Sequence, residues 1–110
     1  MAYDEDLADR IREQLGKERV TEKRMFGGLA FLIGGNMSVA ASSDGGMLVR
    51  VDPAQGADLL AQPGVEPMSM GGRAPMKGWL RVAPEVLDDD GSLATWVRRG
   101  VGYARSLPAK

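Results

Sequence analysis

The stretch Arg24 to Val51, RMFGGLAFLIGGNMSVAASSDGGMLVRV, holds three glycine pairs in 28 residues. Its reading decides the fold. Apolar residues alternate on either side of the glycines: Leu29, Phe31 and Ile33, then Met37, Val39 and Ala41, then Met47, Val49 and Val51. A period of two marks strands, and the intervening Gly34-Gly35-Asn36 and Ser43-Asp44-Gly45-Gly46 can supply the positive φ that tight hairpin turns demand. A phosphate-binding loop would read GxxxxGK and then Ser or Thr, and a dinucleotide fingerprint GxGxxG, between a buried strand and a helix. Neither pattern occurs, so two of the pairs are turn chemistry. The third, Gly27-Gly28, sits between apolar residues and predicts a bulge or a close backbone approach.

Outward from this stretch the period changes to that of helices. Leu7, Ala8, Ile11 and Leu15 form one stripe, with Asp4, Glu5 and Asp6 at the positive end of the dipole and Gly16 as a stop. Asp6 with Arg10, and Asp9 with Arg12, are spaced to pair on its wet side. After the strands, Asp52 and Pro53 read as N-cap and first helical residue of a short helix, with Gln55 placed to close a capping box and Pro63-Gly64 as its end. Extended pieces are expected around Pro67 to Met70 and Trp79 to Val82, separated by a loop over Arg73 to Gly78. Pro84 opens a helical turn, and the acidic run Asp88 to Asp90 precedes a last helix from about Ser92, whose buried side is Leu93, Trp96, Val97, Val101, Ala104 and Leu107. The predicted fold is α+β: a two-layer sandwich with an antiparallel sheet of about five strands, helices on one face, and the order helix, strands, helix, strands, helix.

The totals bound the function. The chain has 110 residues, 44% of them apolar, enough for one domain with a modest core. Lys and Arg number 14 against 15 Asp and Glu, so no net field draws the protein to nucleic acid or anionic lipid. There is no Cys and no His, which removes thiolate and imidazole metal sites, cysteine nucleophiles and the commonest general base. No cofactor or metal is expected. The first fifteen residues, MAYDEDLADRIREQL, are no apolar leader, and no run approaches the ~20 apolar residues of a membrane span, so a cytoplasmic location with no membrane partner is expected.

Arg24-Met25-Phe26-Gly27-Gly28, the strand end Val49-Arg50-Val51-Asp52, Pro75-Met76 and the stretch Trp79-Leu80-Arg81-Val82-Ala83-Pro84, in this order, resemble the TfoX/Sxy N-terminal domain family. The resemblance covers nearly the whole chain and implies a single domain over residues 1–110. Members are regulators linked to natural competence, thought to act through transcription machinery rather than by catalysis. Full-length relatives carry a second, helical C-terminal domain, which is not found here before Lys110.

Strand alternation sets Leu48, Arg50, Trp79 and Arg81 on the sheet face away from the helices. If that face is open, its mixture of Trp, Leu and Arg has the composition of an interface core. The competing account makes the arginines solvated strand residues and Trp79 loop-covered. Arg24, Met25, Phe26, Gly27 and Gly28 form a second candidate, with Arg24 able to grip a carboxylate or phosphate bidentately; a bulged strand is the alternative. The expected function is a non-enzymatic regulatory interaction module that docks a protein partner, transcription machinery being the candidate, with a homodimer through the open face as its simplest form. The alternative is direct nucleic-acid binding through Arg73, Lys77, Arg98, Arg99 and Arg105, against which stand the balanced charge and the few aromatics. Met68, Met70 and Met76 could hold Cu(I) as thioethers but suit flexible packing better. Asp88 to Asp90 lack the alternation of a calcium loop, and Ser69 has no histidine to activate it, so catalysis is the least expected class.

Overall fold

A computed structural model describes residues 4–25, 28–42, 45–67 and 78–108. The first helix, α1 (Glu5–Leu15), starts where expected: the Asp4 side chain accepts from the Leu7 amide at 3.1 Å, and Gly16 closes the helix at a φ of 55°. Its Leu7, Ala8, Ile11 and Leu15 are buried. Arg12 pairs with Asp9 at 2.6 Å, but Arg10 does not turn to Asp6; it donates to Asp90 at 2.9 Å and to the Leu87 carbonyl at 2.6 Å. A tertiary carbonyl and a carboxylate together offer more than one exposed neighbour on the same helix.

The chain then builds β1 (Thr21–Met25), β2 (Gly28–Ile33), β3 (Asn36–Ala41) and β4 (Met47–Arg50), crosses through α2 (Pro53–Leu60), and adds β5 (Val65–Pro67) and β6 (Trp79–Val82). A helical turn, α3 (Pro84–Leu87), and the long α4 (Asp90–Ser106) complete the order. The six strands form one antiparallel sheet in the order β1-β2-β3-β4-β6-β5. The strand beyond the expected five is β1, whose sequence TEKRM hides it: Thr21, Glu22, Lys23 and Arg24 are exposed because β1 is an edge strand, where charge is tolerated and guards against stray pairing. The strand expected around Pro67 to Met70 begins earlier, at Val65, and residues 68–70 lie outside the described residues.

The turn chemistry holds at Gly34 and Gly35. Ile33 pairs with Asn36, and the two glycines between them have φ of 59° and 83°, the positive pair a two-residue primed turn requires. At Gly28 the reason for glycine is proximity: a Cβ there would collide with the Ala41 carbonyl on β3.

Between β2 and β3 the register shifts. Phe31 faces Val39, but the next pair is Leu32 with Met37, leaving Ser38 as an extra residue whose hydroxyl donates to the Phe31 carbonyl at 2.8 Å. This bulge corrects the simple alternation, which put Met37 on the same face as Val39. Met37 instead joins Ala30, Ala40 and Leu48 on the second face, while Leu29, Phe31, Val39, Ala41, Met47, Val49, Leu80 and Val82 meet α1 and α4 on the first.

At its N-terminus α2 is capped as predicted, the Asp52 side chain accepting from the Ala54 amide at 2.9 Å. The Gln55 side chain borders a cleft rather than closing a capping box. The last helix starts two residues earlier than expected, because Asp89 caps it by accepting from the Ser92 amide at 2.9 Å. That accounts for the acidic run: Asp89 is a cap and Asp90 answers Arg10. Leu93, Trp96, Val97, Gly100, Val101 and Ala104 are buried, while Leu107 is the half-buried residue that ends the helix. Gly100 lets α4 lie against the bulge, since a Cβ there would strike the Ser38 carbonyl. No helix among the described residues is long and apolar enough to cross a membrane.

Candidate binding surface and cleft

The second sheet face is not open as expected. Leu48 is buried to 6% exposure with Ala30, Met37 and Ala40, and Leu32 and Trp79 pack against them. This face therefore carries a minor core of its own. Around that core Arg50, Trp79 and Arg81 are half-buried.

Arg50 and Trp79 are cross-strand partners on β4 and β6, and the Arg50 guanidinium lies 5.1 Å from the Trp79 ring centroid. It also lies 5.7 Å from the ring of Tyr103 on α4, so one cation is shared by two aromatic rings where the sheet meets the end of the helix layer. Arg81 is held differently. It faces Leu48 on β4 and Glu66 on β5, makes an ion pair with Glu66 at 3.7 Å, and lays its guanidinium against Gly46, where a Cβ would sit 3.2 Å from it.

Arg24 does not join this group. It is exposed on β1, at the sheet edge, opposite Leu29 and hence on the helix-bearing face, with β2 and β3 between it and β4. Met25 pairs with Gly28, while Phe26 and Gly27 lie outside the described residues. The first candidate set thus divides into Arg50, Trp79 and Arg81 in one place and Arg24 to Gly28 in another.

The basic set divides as well. Arg105 is neutralised by Glu18 at 2.9 Å, and Arg73 and Lys77 lie outside the described residues, as do Met68, Ser69, Met70 and Met76. Arg98 and Arg99 remain together, bordering a cleft of about 290 Å³ between the start of α2 and the outer side of α4, with Asp52, Gln55, Gly102 and Tyr103. The Arg99 guanidinium lies over the ring of Trp96, 4.5 Å from its centroid, and Arg98 Nε donates to the Ala94 carbonyl at 3.4 Å. Arg10, Arg12, Arg81 and Arg105 each meet a carboxylate. Arg50, Arg98 and Arg99 make no ion pair among the described residues, and their charges are left available to something else.

Residues 13–104 match the family model of the TfoX N-terminal domain. The chain belongs to the TfoX N-terminal domain family. Within this domain the family match spans all six strands and nearly all of α4, so the Arg50, Trp79 and Tyr103 cluster and both cleft arginines fall inside it. Comparison with curated proteins and with solved structures gives no match.

Tyr103, Gln55 and Asp52 were not foreseen as site residues. For Tyr103 a signal existed: Arg99 and Tyr103 are four apart, which sets them on one stripe of a helix, opposite the buried one. For Gln55 and Asp52 there was none, because only the packing of α2 beside α4 brings them to the same cleft.

Proposed function

We propose that this TfoX N-terminal domain is a non-enzymatic regulatory module that docks a protein partner carrying acidic side chains, at the surface of Arg50, Trp79 and Arg81. The observation that carries the reading is the state of Arg50. It has no ion pair among the described residues, it is half-buried, and it is held between Trp79 and Tyr103. A guanidinium already ordered on aromatic rings loses little side-chain freedom when it meets a carboxylate, and Trp with Arg is the composition that dominates interface energies. Arg81, already paired with Glu66, serves as a flank that can exchange partners. Family membership supports a regulatory role, with transcription machinery in the cytoplasm as the expected setting. A second copy of the chain would compete for the same surface.

The test is capture of partners from host lysate on the immobilised full chain, with and without nuclease, comparing wild type with Arg50→Glu. Arg81 is left unchanged because a glutamate there would face Glu66. A nuclease-resistant protein retained by wild type and lost from the variant is the expected result. Equal capture by both removes Arg50 from the surface. Retention of nuclease-sensitive material alone would favour nucleic-acid binding. Sedimentation of the two proteins over a concentration series reads homodimerisation through this face, which Arg50→Glu should abolish.

A further inference from the structure

The docking surface leaves the cleft between α2 and α4 unused. Its volume, about 290 Å³, is at the lower end of ligand-binding pockets. That size suits a small polar group. Two positive charges face it, and neither is paired with a carboxylate among the described residues. The Arg99 guanidinium lies over the Trp96 ring at 4.5 Å, and Arg98 donates through Nε to the Ala94 carbonyl at 3.4 Å, which leaves its terminal nitrogens able to donate. Gln55 and Tyr103, which also line the cleft, bring an amide and a hydroxyl able to donate, while the Ser106 hydroxyl already donates to the Tyr103 carbonyl. One carboxylate lines the cleft, that of Asp52, and it is engaged by its own helix through the Ala54 amide at 2.9 Å. The lining thus keeps a net positive charge.

We propose that this cleft binds the phosphate group of a small phosphomonoester. Two guanidinium forks, an amide and a hydroxyl offer more hydrogen-bond donors than the two oxygens of one carboxylate can accept with good geometry. Three terminal phosphate oxygens carrying close to two negative charges match them. Asp52 would be repelled by a bare anion, but its carboxylate accepts from a hydroxyl, so a phosphomonoester bearing a free hydroxyl fits better than inorganic phosphate. The site is independent of the protein-docking reading. It touches that surface at one residue, since Tyr103 both borders the cleft and carries the Arg50 guanidinium.

The experiment is an NMR titration of the full chain, following backbone amides, with inorganic phosphate, glycerol 3-phosphate and acetate as probes. Saturable shifts at Gln55, Arg99, Gly102 and Tyr103 are expected with glycerol 3-phosphate, with weaker binding of inorganic phosphate and weaker still of acetate. The double variant Arg98→Gln, Arg99→Gln should weaken glycerol 3-phosphate at least ~10-fold, whereas Lys23→Gln, at an exposed cation on edge strand β1 that does not line the cleft, should leave it unchanged. Shifts that fail to saturate, that map elsewhere in wild type, or that are as strong with acetate overturn the proposal. Undiminished binding by a folded double variant overturns it too. Should that variant not fold, the wild-type map alone still decides.

Discussion

Two glycines on α4, two residues apart, should respond to alanine with opposite signs. In a helix interior, glycine to alanine ordinarily stabilises by about 1 kcal/mol, because alanine has less backbone freedom to lose on folding. At Gly102 nothing lies within 4 Å of where the Cβ would stand, so Gly102→Ala should gain that amount. At Gly100 the same methyl meets the Ser38 carbonyl and sits 2.8 Å from Val39 Cγ1. Backbone atoms of a bulged central strand cannot swing aside as a side chain would, so α4 must lift from the sheet. Overpacking of this kind costs about 1–3 kcal/mol, and collision with main chain puts Gly100 at the upper end. After the helix-propensity gain of ~1 kcal/mol, a net loss of about 2 kcal/mol remains, and the two variants should differ by about 3 kcal/mol in urea unfolding. A shift in midpoint without a change in slope is required, since neither substitution alters the surface exposed on unfolding. If Gly100→Ala proves as stable as Gly102→Ala, the close seating of α4 on the bulge is wrong.

Glu22 is held below the usual carboxylate range by its hydrogen bonds to Arg12, made at 2.7 and 2.8 Å, against a smaller opposing effect of burial. A carboxyl whose folded pKa is depressed contributes stability that is present above its ordinary value near 4.3 and is lost as pH falls through its folded value. Glu22→Gln should therefore lower stability at pH 7 by up to about 1 kcal/mol, discounted for exposure, with the difference from wild type vanishing in acid and shrinking in high salt. Ser38→Ala, which strips the buried Phe31 carbonyl of its hydroxyl donor, should cost about 1–2 kcal/mol in the same unfolding assay. Asp89→Ala should cost about 1 kcal/mol by removing the cap of α4, while Asp89→Asn should recover most of it.

What could be read from the sequence was whatever depended on neighbours along the chain. The period of α1, the Gly34-Gly35 turn, the Asp52-Pro53 start of α2 and the three antiparallel strands between Leu29 and Arg50 are local, and each element lies where its pattern put it, the facing of Met37 apart. Three departures share one cause, a contact between elements that periodicity alone does not specify. Charged β1 is a strand because it borders β2 at the edge of the sheet. Ser38 is a bulge because Phe31 offers it a carbonyl and Gly100 admits the helix above it. Arg10 crosses to Asp90, 80 residues away, because α1 and α4 lie side by side.

The candidate site follows the same logic, and it alters the meaning of its residues. Alternation alone set Arg50, Trp79 and Arg81 on one face, and they are on one face, but it treated the arginines as equivalent. The fold separates them by what else is within reach: Arg81 meets Glu66 because β5 pairs beside β6, whereas Arg50 meets the ring of Tyr103 because the end of α4 passes there. One arginine is paired with a carboxylate, and the other lies over two aromatic rings with no ion pair among the described residues. The same sorting applies to the helix arginines, where Arg105 is satisfied by Glu18 while Arg98 and Arg99 are not. A count of basic residues treats all of these alike. Arg50, Arg98 and Arg99, three of the cations that make no ion pair among the described residues, lie where α4, α2 and the β4–β6 pair converge, with Tyr103 between the proposed docking surface and the cleft. A ligand in the cleft that moved Tyr103 would therefore change the support of Arg50, and partner affinity of wild type, but not of Tyr103→Leu, should respond to glycerol 3-phosphate.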